Sequence, residues 1–182
     1  MTSESDRRSL LRIARAAIDA HVNGWPFHGV ADADLDSRRG GAFVSLHKKG
    51  GALRGCIGHI EADDSLPRIV ARCAVAACSS DPRFPAVATS ELPQLLIELS
   101  LLGPLEPITS IAEIEVGRHG LVVEQGWHRG LLLPQVATEW KWGAERFLAE
   151  TCRKAALPND AWKHHAKMWR FEAEVFGEDL GS

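Results

Sequence analysis

The sequence predicts an α+β fold, an antiparallel or mixed β-sheet flanked by helices. Two observations carry this. Extended segments come in pairs joined by glycine-containing turns, whereas a doubly wound sheet alternates single strands with helices. Stretches of helical period stand apart from those pairs. At 182 residues the chain corresponds to about one domain. Its 45% hydrophobic and 25% charged residues are those of a globular protein and exclude disordered and rod-like classes.

Leu10, Leu11, Ile13, Ala14, Ala17 and Ile18 recur at helical spacing, and Gly24 stands where helices terminate, so the first element is an amphipathic helix. From Trp25 to Gly41 no period survives; Pro26, Gly29, Asp32, Asp34, Asp36 and Gly40-Gly41 describe a long loop of functional or disordered type. Ala42–His47 and Ala52–Ile60, joined through Lys48-Lys49-Gly50-Gly51, form the clearest hairpin. Leu66, Ile69, Val70, Cys73, Ala74 and Ala77 define a second helix, with Ser65 as cap, Pro67 in the first turn and a stop near Asp81-Pro82. Leu95–Leu102 reads as a strand, with Ile97, Leu99 and Leu101 on one face and Glu98, Ser100 and Leu102 on the other. A second hairpin spans Gly120–Leu133 around Gln125-Gly126. Phe147, Leu148, Thr151, Cys152 and Ala155 give a third helix, and Lys167–Phe176 a last strand.

Charge and apolar patterning narrow the function classes. The formal net charge of −3 offers no basic field to hold a phosphate backbone, so nucleic acid is an unlikely partner by composition. Charged residues interrupt the beginning of the chain, and no apolar run approaches a membrane span, which predicts neither export nor membrane insertion. The cysteines, Cys56, Cys73, Cys78 and Cys152, contain no Cys-x-x-Cys pair; they read as reduced thiols of a cytoplasmic protein without a zinc site.

The segment Leu53-Arg54-Gly55-Cys56-Ile57-Gly58 carries most of the chemical information. On a regular strand Arg54 and Cys56 share a face, and a guanidinium there favours the reactive thiolate. Gly55 and Gly58 remove side chains that would crowd the sulfur or a ligand. The alternative is a glycine-rich bend holding a small apolar cysteine. His59 points to the opposite face unless Gly58 introduces a bulge. Asp81-Pro82-Arg83-Phe84-Pro85 is a stiffened turn that presents Arg83 either to an anionic group or to a local salt bridge. Glu98 and Ser100 are either cleft lining or the wet side of a sheet. Gln135, at the end of a strand, offers a donor and an acceptor. Trp25, in the long loop, is a candidate lid residue.

Leu53–Gly58, Asp81–Pro85, Glu91-Leu92-Pro93 with Ile97–Leu102, Arg118–Leu121, Arg129–Gln135, and Phe147-Leu148 with Cys152–Ala155 together resemble the AMMECR domain family, also called AmmeMemoRadiSam system protein A. The likeness covers roughly residues 8–176, leaving 1–7 and 177–182 as tails. It implies an α+β domain with a smaller second subdomain and a cleft near the Arg54-Gly55-Cys56 segment. It also implies association with a Memo-like protein, itself similar to extradiol dioxygenases, and with a radical-SAM protein.

These readings converge on an enzyme, or an enzyme component, acting on a small molecule or modified group. Catalysis falls to Cys56, Arg54 and Glu98, and substrate binding to Gly55, Gly58, Arg83, Ser100 and Gln135, with no metal or cofactor required. An adaptor that binds a Memo-like partner through the Arg54-Gly55-Cys56 surface is the alternative. RNA binding through Arg38, Arg39, Lys48 and Lys49 is a third.

Overall fold

The computed structural model describes residues 2–29, 33–61 and 63–178. Part of the long loop, residues 30–32, and the end of the C-terminal tail, 179–182, lie outside the described residues. The chain forms two compact units, one of Met1–Leu102 with Glu174–Ser182 and the other of Gly103–Ala173.

In the first unit, α1 (Glu4–Asn23) begins earlier than its apolar stripe because Ser3 and Asp6 close a capping box: the Asp6 amide donates to Ser3 Oγ at 3.1 Å and the Ser3 amide to Asp6 Oδ2 at 2.9 Å. It ends where Gly24 turns left-handed, φ 70°, and the Gly24 and Trp25 amides reach His21 and Ala20 carbonyls. A short helix, α2 (Ala33–Asp36), interrupts the segment expected to be loop; Leu35, fully buried, fastens it to the core. β1 (Ala42–Lys48) pairs antiparallel with β2 (Leu53–His59) and with β3 (Leu95–Leu102), so β2 is the edge. α3 (Leu66–Ser79) packs on β1 and β2, and α1 on α3 and β3. Ser65 stands at the N-cap of α3, but its hydroxyl makes no capping bond; Pro67 in the first turn removes one of the amides that would need one.

Alternation decides which side chains this packing buries. Ala42, Val44, Leu46, Ile97, Leu99 and Leu101 face the helices and meet Leu10, Ile13, Ile18, Ile69, Val70 and Ala74. Each fully buried Leu, Ile or Val contributes about 1.5–3 kcal/mol. Phe43, Ser45, His47 and Glu98 stand on the sheet face turned away from these helices.

In the second unit, β5 (His119–Gln125) lies between β6 (His128–Leu132) and the first part of β7 (Lys167–Gly177), with β4 (Glu106–Ile108) on the other side of β7; all pairs are antiparallel. The β5–β6 turn is Gly126-Trp127, one residue later than the sequence suggests, because Gln125 still pairs with His128. α4 (Pro134–Glu139) and α5 (Ala144–Lys154) cover this sheet, and Leu121, Val123, Phe147, Leu148, Cys152 and Met168 form its core. Gln135 therefore sits in a helix, not at a strand end. β4 and α4 are too short to carry a period in the sequence.

α5 ends in the geometry that α1 has, with the Ala156 amide on Arg153 and the Leu157 amide on Cys152, yet the left-handed position holds Ala156, φ 57°. Ala156→Gly relieves the Cβ strain there and raises the unfolding free energy by about 1 kcal/mol in urea titrations. His119 is buried, and its Nδ1 accepts the Glu115 amide at 2.9 Å. Burial, then Arg170 and Arg118, hold its pKa below the ordinary value, against the smaller pull of Glu115 and Glu172. The folded state thus binds fewer protons than the unfolded one. His119's contribution is complete above about pH 6.5 and is lost as the pH falls through the lowered folded value. The stability gap between the wild type and His119→Gln accordingly shrinks on acidification.

Candidate functional site

β2 runs along the sheet edge, and the segment that follows α3 closes over it. Arg54 is the main tie. The β1–β2 register slips by one between Leu46 and His47, which leaves Arg54 without a cross-strand partner, a bulge that re-aims its side chain. The guanidinium forms a bidentate pair with Glu91, Nε to Oε1 at 2.8 Å and Nη2 to Oε2 at 2.9 Å, and donates to the Pro85 carbonyl at 2.9 Å and the Ala86 carbonyl at 3.3 Å. Only 6% of the Arg54 side chain is exposed. Its donation, with the Ala88 amide, pulls the Glu91 carboxyl down to about 2.

A second pair clamps Cys56 by its main chain. Asp81, 2% exposed, accepts the Cys56 amide at 2.8 Å through Oδ2, and the same carboxylate takes Arg83 Nε at 3.0 Å and Nη2 at 2.7 Å. Arg83 Nη2 also lies 3.5 Å from the Cys56 carbonyl. Amide and carbonyl at an exposed strand edge are thus answered by an aspartate and an arginine, as a neighbouring strand would answer them. The paired Arg83 and the Cys56 amide hold Asp81 far below the ordinary carboxylate range. The Arg54 and Arg83 guanidinium carbons stand 6.0 and 5.5 Å from the Phe84 ring centre.

The Cys56 side chain is half-buried on the sheet face turned away from α1 and α3, where Ser45 is also buried. Ser45 is its cross-strand partner on β1 and donates to Sγ at 3.2 Å; Glu98 is the partner of Ser45 on β3. Cys56, Ser45 and Glu98 therefore form one row across three strands. Glu98 is 38% exposed, and its Oε1 lies 3.9 Å from His47 Nε2. A Cβ at Gly177 would stand 3.6 Å from Glu98 Cβ, so that glycine adds no bulk beside the carboxylate. The glycines flanking Cys56 answer to packing: a Cβ on Gly55 would meet the Ala77 carbonyl at 2.1 Å and one on Gly58 the Phe43 ring at 2.2 Å.

The expectation that Arg54 activates Cys56 is corrected by this geometry. Burial dominates and pushes the Cys56 thiol above its ordinary value; Ser45 and Arg83 pull it down, Asp81 and Glu98 push it up, and Arg54 takes no part. Arg83 has its charge matched by Asp81. Ser100, opposite Phe43, is 1% exposed and offers no surface to a ligand. Gln135 belongs to the second unit. His59 pairs with Asp63 at 2.8 Å, and no bulge at Gly58 turns it toward the sulfur. Sequence reasoning missed Ser45 and His47, although a hairpin centred on Gly50-Gly51 places Ser45 across from Cys56. Among the described residues no group of three potential ligands could hold a metal ion, and no helix is long and apolar enough to cross a membrane.

Fold and site together define an α+β protein whose distinguishing feature is a glycine-bracketed cysteine on an edge strand, its main chain clamped by an aspartate and an arginine. The AMMECR1 family model matches residues 11–176, and the chain belongs to that family. A protein from Methanothermobacter thermautotrophicus is 46% identical, with 97% of this chain and 96% of that one aligned. Protein PF1979 of Pyrococcus furiosus is 41% identical over 93% of this chain and 87% of its own. The crystal structure of uncharacterized protein PH0010 from Pyrococcus horikoshii is similar throughout, with a TM-score of 0.88, 40% identity, and coverage of 93% of this chain and 90% of that chain.

If Arg54 is a staple and not an activator, Arg54→Met lowers the unfolding free energy by about 2–3 kcal/mol. That is less than the roughly 3–5 for a wholly buried pair, because Glu91 keeps contact with water. Arg54→Lys recovers only part of the loss, since an ammonium cannot span the carboxylate bidentately. The alkylation midpoint of Cys56 stays where it is in both variants, as read by mass spectrometry across a pH series.

Proposed function

We propose that this protein is a cytoplasmic enzyme, or the component of one, whose small-molecule or modified-group substrate is met at the partly exposed Cys56 and Glu98 on the β2–β1–β3 sheet face turned away from α1 and α3. A Memo-like protein and a radical-SAM protein are the partners that the family resemblance suggests for it. The observation that carries the reading is the cross-strand row of Cys56, Ser45 and Glu98, three chemically capable side chains on the face away from α1 and α3. Cys56 is also the one cysteine that is not buried; Cys73, Cys78 and Cys152 are.

The chemistry follows from the order of the row. Because burial keeps the thiol protonated, Cys56 acts as a nucleophile only if its proton is taken in the same step. Glu98, on the far side of Ser45 in the row, is the carboxylate that can accept it by relay: the Ser45 hydroxyl takes the thiol proton, passes its own to Glu98, and the new Ser45 O–H donates to the thiolate. Arg83 is placed to orient the Cys56 main chain, with its outer surface free for a polar part of the substrate. The adaptor reading draws less support, because Arg54 is buried against Glu91 and offers no contact surface. For RNA binding, Arg38 is already paired with Asp6 at 2.8 Å.

Iodoacetamide labelling across a pH series, with peptide mapping, tests the reading. Cys56 labels with a midpoint above about 8.5, the ordinary thiol value. Ser45→Ala moves that midpoint higher, Glu98→Gln moves it lower, and the three buried cysteines stay unlabelled until the protein unfolds. A Cys56 as inert as Cys152 through the alkaline range overturns the proposal.

A further inference from the structure

Trp25, in the long loop after α1, lines a cavity of the first unit that shares no residue with the Cys56 row. The volume is about 440 Å³, within the roughly 300–1,000 Å³ typical of small-ligand sites. The end of α1 contributes Arg15, Asp19 and Asn23 to it, and the segment leading into β3 contributes Leu92 and Pro93. Trp25 is 63% exposed, yet its main chain is held on both sides. Its amide donates to the Ala20 carbonyl at 2.8 Å, and Pro26 confines it to extended conformations. The indole is thus presented from a fixed position instead of being buried for packing.

Charge in this cavity does not balance. The Arg15 guanidinium is committed within the fold: it pairs with Glu178, Nε to Oε1 at 3.1 Å, and donates to the Leu95 carbonyl at 2.8 Å and the Leu92 carbonyl at 3.4 Å. Asp19, one turn along α1 from Arg15, is left over. Among the described residues its carboxylate has no ion pair and no hydrogen bond; the Asn23 side-chain amide donates to the Asp19 main-chain carbonyl instead, at 2.8 Å. Arg15 at +1, with Glu178 and Asp19 at −1 each, leaves one net negative charge. For stability the position suits a carboxylate poorly, because Asp19 stands one turn from the negative end of the α1 dipole, where a cation is favoured. The fold does not call for that aspartate, and the dipole deepens the negative potential it creates.

Three features select the occupant. The negative potential favours a cation, the exposed indole favours a flat group on its face, and the Asp19 carboxylate with Asn23 Oδ1 favours N–H donors. A guanidinium meets all three: it is planar, weakly hydrated, stacks on aromatic rings and carries five donors in a fork that fits a carboxylate. An ammonium lacks the plane, and a quaternary ammonium lacks the donors. We propose that this cavity binds a guanidinium on an aliphatic stem, its plane against Trp25, its N–H groups on Asp19 and Asn23, and its stem along Leu92 and Pro93. The inference goes beyond the thiol reading and does not depend on it.

Nα-acetyl-L-arginine amide, titrated into the full chain labelled with ¹⁵N, is the probe, and the Trp25 indole N–H signal, assigned through Trp25→Phe, is the readout. The signal shifts and saturates in roughly the millimolar range, as suits a small ligand with one ion pair and one stacked face. The citrulline analogue has the shape without the charge and the lysine analogue the charge without the plane; each binds about fivefold more weakly or worse. Asp19→Asn weakens the arginine probe by about tenfold and keeps or raises the melting temperature, which an aspartate serving the fold would not allow. Trp25→Leu, followed through the Asn23 side-chain amide, weakens it by a similar factor. Butylguanidine separates the sources: affinity equal to that of the arginine probe identifies a free guanidino compound, and lower affinity identifies an arginine carried on a polypeptide. A Trp25 signal that does not move, equal binding of the citrulline analogue, or undiminished binding to Asp19→Asn overturns the site.

Discussion

The Arg54 guanidinium is the interaction on which the rest of the site depends. Four hydrogen bonds from three nitrogens tie β2 to Glu91 and to the carbonyls of Pro85 and Ala86, so one buried side chain fixes the path of the segment following α3. A buried ion pair contributes little net stability when complete, because desolvation offsets attraction, but leaves an exposed penalty when one partner is removed. What it secures here is position. With Pro85 and Ala86 held, Asp81 and Arg83 are carried to the edge of β2, where they satisfy the Cys56 amide and carbonyl and leave no open edge beside the cysteine.

That arrangement also sets the electrostatics. Both arginines near the cysteine are matched by carboxylates, so neither contributes a free positive charge to the face. The sulfur is left with burial, a serine hydroxyl and a distant pull from Arg83, and burial prevails. A permanently ionised thiolate would be reactive toward any oxidant or electrophile that reached it. A protonated thiol separated from the carboxylate of its row by a serine is quiet until a substrate completes the path for proton transfer.

Much of this fold was legible in the sequence, and the parts that were not share a cause. Helices α1 and α3, the β1–β2 and β5–β6 hairpins, β3 and β7 each carry enough residues to show a period, and the structure places them where that period predicts. β4, α2 and α4 are three to six residues long, below the length at which periodicity means anything. The expected site departs from the structure at Ser100, which is buried, at Gln135, which lies in the second unit, and most consequentially at Arg54. Alternation put Arg54 on the face of Cys56, and a bulge, which no side-chain pattern announces, turned it to Glu91 instead. Ser45 is implied by the turn at Gly50-Gly51, which fixes the register of the hairpin and sets that serine across from Cys56.

The Leu53–Gly58 segment can then be divided by duty. Gly55 is there because the Ala77 carbonyl occupies the space of a Cβ, and Gly58 because the Phe43 ring does. Ile57 packs on the core, and Arg54 staples the edge. The Cys56 main chain completes the clamp with Asp81, a task that any residue with an amide could perform. What packing does not account for is the sulfur. A serine or alanine at that position would fit the strand, satisfy the clamp and lie equally well beside Ser45. The case for chemistry at this face is a side chain whose identity the fold does not require, set in a row with a carboxylate that, among the described residues, no lysine or arginine neutralises.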